Sequence, residues 1–185
     1  MQGDTLSGGA GNDTVDGENG SDLVEGGSGD DSVFGGGGRD TISGDVGDDV
    51  VSGGFGNDVF IYNVGDGADT ITDFNAGNTG ALNDGDATNN DFIDLTNFYD
   101  NIFDLREDLA DDNVLNQSNS DDGGGTVDYS GKNRFGTNEG LTFDGLSSGA
   151  DLTSDNTGVA CFTSGTLIDT PSGACLLYTS PSPRD

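Results

Sequence analysis

The chain has 185 residues, with 35 acidic side chains against 5 basic ones, a net charge of −30 and no histidine. That balance argues against nucleic acid or an anionic membrane as partner and favours cations. The lack of histidine excludes an HExxH zinc site and any histidine general base. No run of about 18 apolar residues is present, so no membrane span is expected.

Residues 2–7 (QGDTLS) read as the tail of a repeat unit, and Met1 is followed at once by repeat sequence. No signal peptide is visible, and the abrupt start leads us to expect an N-terminal truncation.

From Gly8 to Ile61 the chain falls into nines: GGAGNDTVD, GENGSDLVE, GGSGDDSVF, GGGGRDTIS, GDVGDDVVS, GGFGNDVFI. Positions 1 and 4 are always Gly, and position 2 is Gly except for Glu18 and Asp45. Positions 1 to 5 therefore predict a tight turn with uncrowded carbonyls. Position 6 is always Asp: Asp13, Asp22, Asp31, Asp40, Asp49 and Asp58, with Asp4 before them. Position 8 is always apolar: Val15, Val24, Val33, Ile42, Val51 and Phe60, with Leu6 before them. β-Branched residues around position 8 favour a short strand. A Gly/Asp-rich flexible linker is the alternative, but a linker has no reason to hold Asp two places before an apolar residue six times running.

If two repeats make one coil, strands stack every eighteen residues. Asp13, Asp31 and Asp49 then line one edge, and Asp4, Asp22, Asp40 and Asp58 the other. Carboxylates about 5 Å apart repel by about 3 kcal/mol at an effective dielectric near 20. Arg39 is the only basic residue in the repeats, so nothing there is expected to neutralise them. Carboxylates and backbone carbonyls, here those of Gly8, Gly17, Gly26, Gly35, Gly44 and Gly53, are the oxygen donors calcium prefers, whereas magnesium demands stricter geometry. One apolar side chain per short strand makes a thin core, so metal is expected to supply part of the folding free energy.

These nonapeptides resemble the RTX (hemolysin-type) calcium-binding repeats. The resemblance implies an all-β fold, a parallel β-roll, over residues 1–74. It also implies that Ca2+ is the cofactor, that the protein is secreted and extracellular, and that type I secretion machinery exports it. Calcium ions are the expected partners.

After Ile61 the period breaks. Phe60 to Gly77 (FIYNVGDGADTITDFNAG) resembles the closing segment of an RTX roll, which implies a further calcium held by Asp69 and Asp73; an acidic surface strand is the alternative. Residues 75–155 predict a capping or linker region. Within it, 75–91 reads as a loop. NDFIDLTNF (90–98) resembles the strand that follows such rolls, with Asp91 and Asp94 as weaker ligand candidates. YDNIFDLREDLA (99–110) predicts the single helix, with Asp100 as N-cap and Ile102, Leu105 and Leu109 on one apolar stripe covering the end of the roll. Short strands are expected at 126–130, 133–136 and 140–146, making a small β-rich C-terminal region.

Residues 156–174 contain CFTSGTLIDTP, which resembles the opening of a Hint (hedgehog/intein) autoprocessing domain. The resemblance implies that Cys161 is the nucleophile of an intact domain, here cut short. Residues 175–185 (CLLYTSPSPRD) resemble the translation of a sequencing adapter and are taken as artefact. The expected function is calcium binding coupled to folding, without enzymatic activity. The alternatives are an autoprocessing protein with a truncated catalytic module, and an adhesive or surface-layer spacer.

Overall fold

The computed structural model of the chain describes residues 3–74, 90–99, 102–117, 134–136, 138–144, 146, 152 and 154–159. The chain winds into a parallel β-solenoid with two sheets. One sheet stacks β1 (Thr5–Ala10), β4 (Leu23–Ser28), β6 (Thr41–Val46), β8 (Val59–Ile61) and β10 (Phe92–Ile93), every neighbour parallel. The other stacks β2 (Thr14–Asp16), β5 (Ser32–Gly38), β7 (Val50–Gly56), β9 (Ala68–Ile71) and β12 (Gly140–Phe143), again parallel, with β11 (Val114–Leu115) added antiparallel. The short β3 (Asn19–Gly20) pairs with β5.

The register explains the period of nine. Strand side chains alternate between faces, so a three-residue strand buries its middle residue. Stacking every second repeat then builds two apolar columns. Leu6, Val24, Ile42, Phe60 and Ile93 face one another rung by rung in the first sheet. Val15, Val33, Val51, Ile71 and Phe143 do so in the second. Val24, Val33 and Ile42 are wholly buried. Both columns run past residue 60, so the chain beyond the repeats lengthens the same two sheets.

The turns need unusual backbone. Four position-2 glycines, Gly9, Gly27, Gly36 and Gly54, lie at φ 92–113°, and the two exceptions, Glu18 and Asp45, adopt φ 64° and 67°. Position 2 thus demands the left-handed region whatever its residue, at a cost for a non-glycine side chain. Position 1 is different: its glycines are not among the residues at positive φ, and the reason they are glycine lies in the space around them.

Helix α1 (Ile102–Asp112) buries Ile102, Leu105 and Leu109, the predicted stripe, and these join the same hydrophobic core as the roll. Asn113, at φ 64°, donates its N–H to the Leu109 carbonyl at 3.0 Å and closes the helix. Arg106 donates to the carbonyl of Leu152 through Nε at 3.0 Å and Nη2 at 2.8 Å. Tyr62, Phe98 and Phe135 form an aromatic cluster, with Phe98 and Phe135 centroids 4.5 Å apart. A second short helix, α2 (Ser154–Thr157), ties back where Thr157 accepts the N–H of Leu95 at 2.9 Å. Of the strand expected at 140–146, Gly140–Phe143 is present as β12; residues 134–136 form no strand. The expected N-cap Asp100, the strand at 126–130, Cys161 and residues 160–185 lie outside the described residues.

Candidate metal centre

Each repeat aspartate stands immediately before its strand, at the corner where the glycine turn enters the sheet. One residue separates it from the buried apolar side chain, a spacing of two, so both point to the same face. The carboxylates are accordingly turned inward. Asp22, Asp31, Asp40, Asp49, Asp58 and Asp69 are at most 3% exposed. Asp13 is half-buried and Asp4, on the first rung, is exposed.

The aspartates form two ladders. Along the first edge Oδ1 of Asp31 accepts the N–H of Asp13 at 2.7 Å, Oδ1 of Asp49 that of Asp31 at 2.7 Å, and Oδ1 of Asp69 that of Asp49 at 3.1 Å. Along the second, Asp22 accepts from Asp4 at 2.7 Å, Asp40 from Asp22 at 2.8 Å, Asp58 from Asp40 at 2.9 Å, and Asp91 from Asp58 at 2.9 Å. Above the first rung, from Asp22 and Asp31 onward, one main-chain N–H per carboxylate thus offsets part of the charge. The expectation that nothing in the repeats does so is corrected here: it counted basic side chains and overlooked the backbone donors that inter-coil register supplies.

That one bond leaves each of these carboxylates half satisfied, and Asp13 on the first rung lacks even that bond. Oδ2 of Asp13, Asp22, Asp31, Asp40, Asp49 and Asp58 is buried without a hydrogen-bond partner. A buried anionic oxygen without a partner is costly. These atoms converge on the space that position 1 leaves open by being glycine. A Cβ added to Gly26 would lie 2.7 Å from Asp31 Oδ2 and 2.5 Å from the Gly44 carbonyl oxygen one coil on. On Gly35 it would meet Gly53 O at 2.7 Å and Asp40 Oδ2 at 2.8 Å. Gly8 and Gly17 have the same pair of oxygens around them, from Gly26 with Asp13 and from Gly35 with Asp22. At Gly44 and Gly53 the nearest atom is Oδ2 of Asp49 and Asp58, at 2.4 and 2.6 Å. A cradle of one carboxylate oxygen and one carbonyl oxygen suits a hard divalent cation with many oxygen ligands. Among the described residues no three carboxylates converge on one point, so each site would combine few carboxylates with main-chain carbonyls.

Burial also disfavours the charged forms. Desolvation, opposed by the bond from Asp40 and reinforced by Asp91 and Asp40, pushes Asp58 up to about 7. Asp69 is pushed up to about 8 by desolvation, with Asp49, Asp66 and Asp48 adding to it against the bond from Asp49. Asp40 and Asp49 are raised for the same first cause. A cation in the cradles would reverse this, because it stabilises ionised carboxylates.

Asp73 stands apart from both ladders. Its Oδ1 accepts the N–H of Gly53 at 2.9 Å, and its Oδ2 accepts the N–H of Gly54 at 2.8 Å and the Ser52 hydroxyl at 2.6 Å. The carboxylate therefore caps the last glycine turn. Asp94 is exposed and accepts from the Thr96 N–H and hydroxyl at 3.0 and 2.7 Å, a local turn. Asp91, by contrast, occupies a full rung. Its sequence carried the cue: Asn90-Asp91-Phe92-Ile93 repeats positions 5 to 8 as Asn57-Asp58-Val59-Phe60 does, but 33 residues on rather than 18.

Compared with family models, residues 2–33 and 25–60 match the RTX calcium-binding nonapeptide repeat in four copies. No curated protein matches the chain. Calcium is accordingly the cofactor of the repeat stretch.

Proposed function

We propose that calcium is held in the glycine cradles along both edges of the roll, and that its binding drives the roll to fold. The ligands in this reading are Oδ2 of Asp13, Asp22, Asp31, Asp40, Asp49 and Asp58 with the carbonyls of the position-1 glycines, and Asp4 and Asp69 complete the ladders. The single observation that carries it is the set of six buried Oδ2 atoms without hydrogen-bond partners, each beside a glycine whose added Cβ would crowd the cradle.

Without metal those oxygens, together with the burial that disfavours ionised Asp58 and Asp69, oppose the compact state. With metal they become its ligands, and a ligand bound by the native state alone pulls folding forward. Calcium at extracellular concentrations would occupy sites of this kind, whereas a calcium-poor interior would leave the acidic chain unfolded. That difference fits a protein exported unfolded, by type I secretion, and folded outside. Its role is binding and structure rather than catalysis.

Equilibrium dialysis against millimolar calcium tests the ligand assignment. The chain is expected to retain several ions, and replacing Asp22, Asp40 and Asp58 together with Asn should remove those of one edge. Unchanged retention would reject the assignment.

A further inference from the structure

Of the six copies, only the second has Asn at position 3, and position 4 is always Gly, so Asn19–Gly20 is the single Asn-Gly step in the chain. That step carries a chemistry of its own. Glycine leaves its amide nitrogen unshielded and its backbone free to rotate, so Gly20 N can attack the side-chain carbonyl carbon of Asn19. A Gly20 N–Asn19 Cγ bond forms, the Asn19 Cγ–Nδ2 bond breaks, and ammonia leaves with the Gly20 amide proton. Water then opens the cyclic imide. Opening at Cγ gives aspartate. Opening at the main-chain carbonyl gives isoaspartate, whose backbone runs through Cβ and Cγ and is one atom longer.

The folded roll holds the two reacting groups apart. Asn19 and Gly20 form β3, paired with Gly37 and Gly38 one coil on. Gly20 is buried, and a Cβ on Gly38 would overlap its carbonyl oxygen. Asn19 Oδ1 lies toward the next coil, 3.2 Å from where a Cβ on Gly37 would stand. Ring closure requires the Asn19 backbone to rotate out of its strand conformation, and the pairing with β5 opposes that rotation.

The isoaspartate product does not fit the coil. Three residues on, Asp22 accepts the Asp4 N–H at 2.7 Å and donates its own N–H to Asp40 at 2.8 Å, with Oδ2 beside Gly17. An extra main-chain atom between residues 19 and 20 shifts the register that sets these bonds, where the Gly20–Gly38 contact leaves no slack.

We infer that Asn19–Gly20 is a self-modification site gated by the fold: the calcium-free chain converts to isoaspartate there and loses the Gly17–Asp22 cradle irreversibly, while the calcium-loaded roll is protected. The gate rests on the calcium reading of the repeats; the chemistry does not. Competence to bind calcium is thereby limited by the time the chain spends without it.

The full chain is aged in mildly alkaline solution with millimolar calcium, with excess chelator, or with calcium in denaturing guanidinium. A glutamate-specific protease then frees residues 19–25, which lie between the Glu18 and Glu25 cleavage points. Mass spectrometry measures the amide-to-acid change, and electron-transfer fragmentation separates aspartate from isoaspartate. Modification through an opened state follows the population of that state, so conversion should be about tenfold or more faster in chelator and in guanidinium than in calcium. Equal rates in all three would overturn the gate. Fast conversion in guanidinium with chelator as slow as calcium would also overturn it, and would place the fault in the calcium-coupled folding beneath it. No conversion even in guanidinium would overturn the chemistry. Returned to calcium, the chelator-aged parent should retain fewer ions on dialysis than fresh chain. Asn19→Ser, at a position that holds Ala10, Ser28, Val46 and Phe55 in other copies, should keep its full number after the same ageing. Asn19→Asp, the product of normal backbone length, should match fresh parent. Undiminished retention by the aged parent, or an equal loss in N19S, would overturn the loss of the cradle through this step.

Discussion

The main-chain N–H of Asp31 donates to Oδ1 of Asp49, one coil further on, at 2.7 Å, while Oδ2 of the same Asp49 is buried with no partner and would lie 2.4 Å from a Cβ on Gly44. One oxygen is used to stack coils and the other is held in reserve. That division of labour recurs along both edges. It separates what the peptide chain can satisfy by itself from what it leaves for a cation.

Replacing Asp31 with Ala should therefore have two effects. It removes the acceptor for the Asp13 N–H and the Oδ2 donor at the Gly26 cradle. The calcium midpoint should rise by roughly tenfold or more. Asp16, exposed and bonded only to the Glu18 N–H at 2.9 Å, provides the comparison; Asp16→Asn should leave the titration unchanged. Equal titrations for both variants would remove Asp31 from the ligand set.

Gly44→Ala and Gly9→Ala should fail differently. Gly44 is not at positive φ, and its Cβ would collide with the Asp49 carboxylate. Overpacking of that kind costs about 1–3 kcal/mol and should also weaken calcium binding. Gly9 lies at φ 102° with nothing within 4 Å of an added Cβ. Its cost is backbone strain of about 1–2 kcal/mol, with calcium affinity retained. Urea unfolding in saturating calcium, set beside calcium titration, separates the two.

The weakened acidity of these two buried carboxyls gives a pH dependence with a definite sign. Asp58 at about 7 and Asp69 at about 8 hold protons that the unfolded chain, near the ordinary carboxyl value of 3.8, has released. In calcium-free solution their contribution to stability is fully present below pH 3.8 and is lost as pH rises through 7 and 8. Calcium must displace these protons, so its apparent affinity should increase between pH 6 and 9 and binding should release protons. Calorimetry in buffers of different ionisation enthalpy measures the release; an affinity flat across that range would contradict it.

Asp73→Ala should lower stability without removing an ion. It leaves the N–H groups of Gly53 and Gly54 and the Ser52 hydroxyl without their acceptor, at about 1–3 kcal/mol. Dialysis should count the same number of calcium ions as in the parent chain, and a lower count would return Asp73 to the ligand set.

Much of this was legible in the sequence because the repeat couples two periods. The spacing of two between Asp22 and Val24 places both inward in any strand, and the spacing of eighteen from Val24 to Ile42 gives the coil. What stayed hidden depends on contacts between coils. No single repeat shows that the Asp22 N–H would find Asp40, so the backbone's share in offsetting charge was missed. Position 1 and position 2 glycines look alike as letters, yet one serves space and the other φ, as Glu18 and Asp45 reveal. Asp69 and Asp91 sit 20 and 33 residues from their rung partners, so strict periodicity passes over them although their local motifs match. Asp73 resembles a ligand in composition and is separated from the ladders only by its bonds to the last turn.

Far-ultraviolet circular dichroism of the chain, with millimolar calcium and then with excess chelator, tests the central claim most directly. The account predicts β-structure with calcium and a coil spectrum after chelation, restored when calcium is returned. Identical spectra in the two conditions would contradict it.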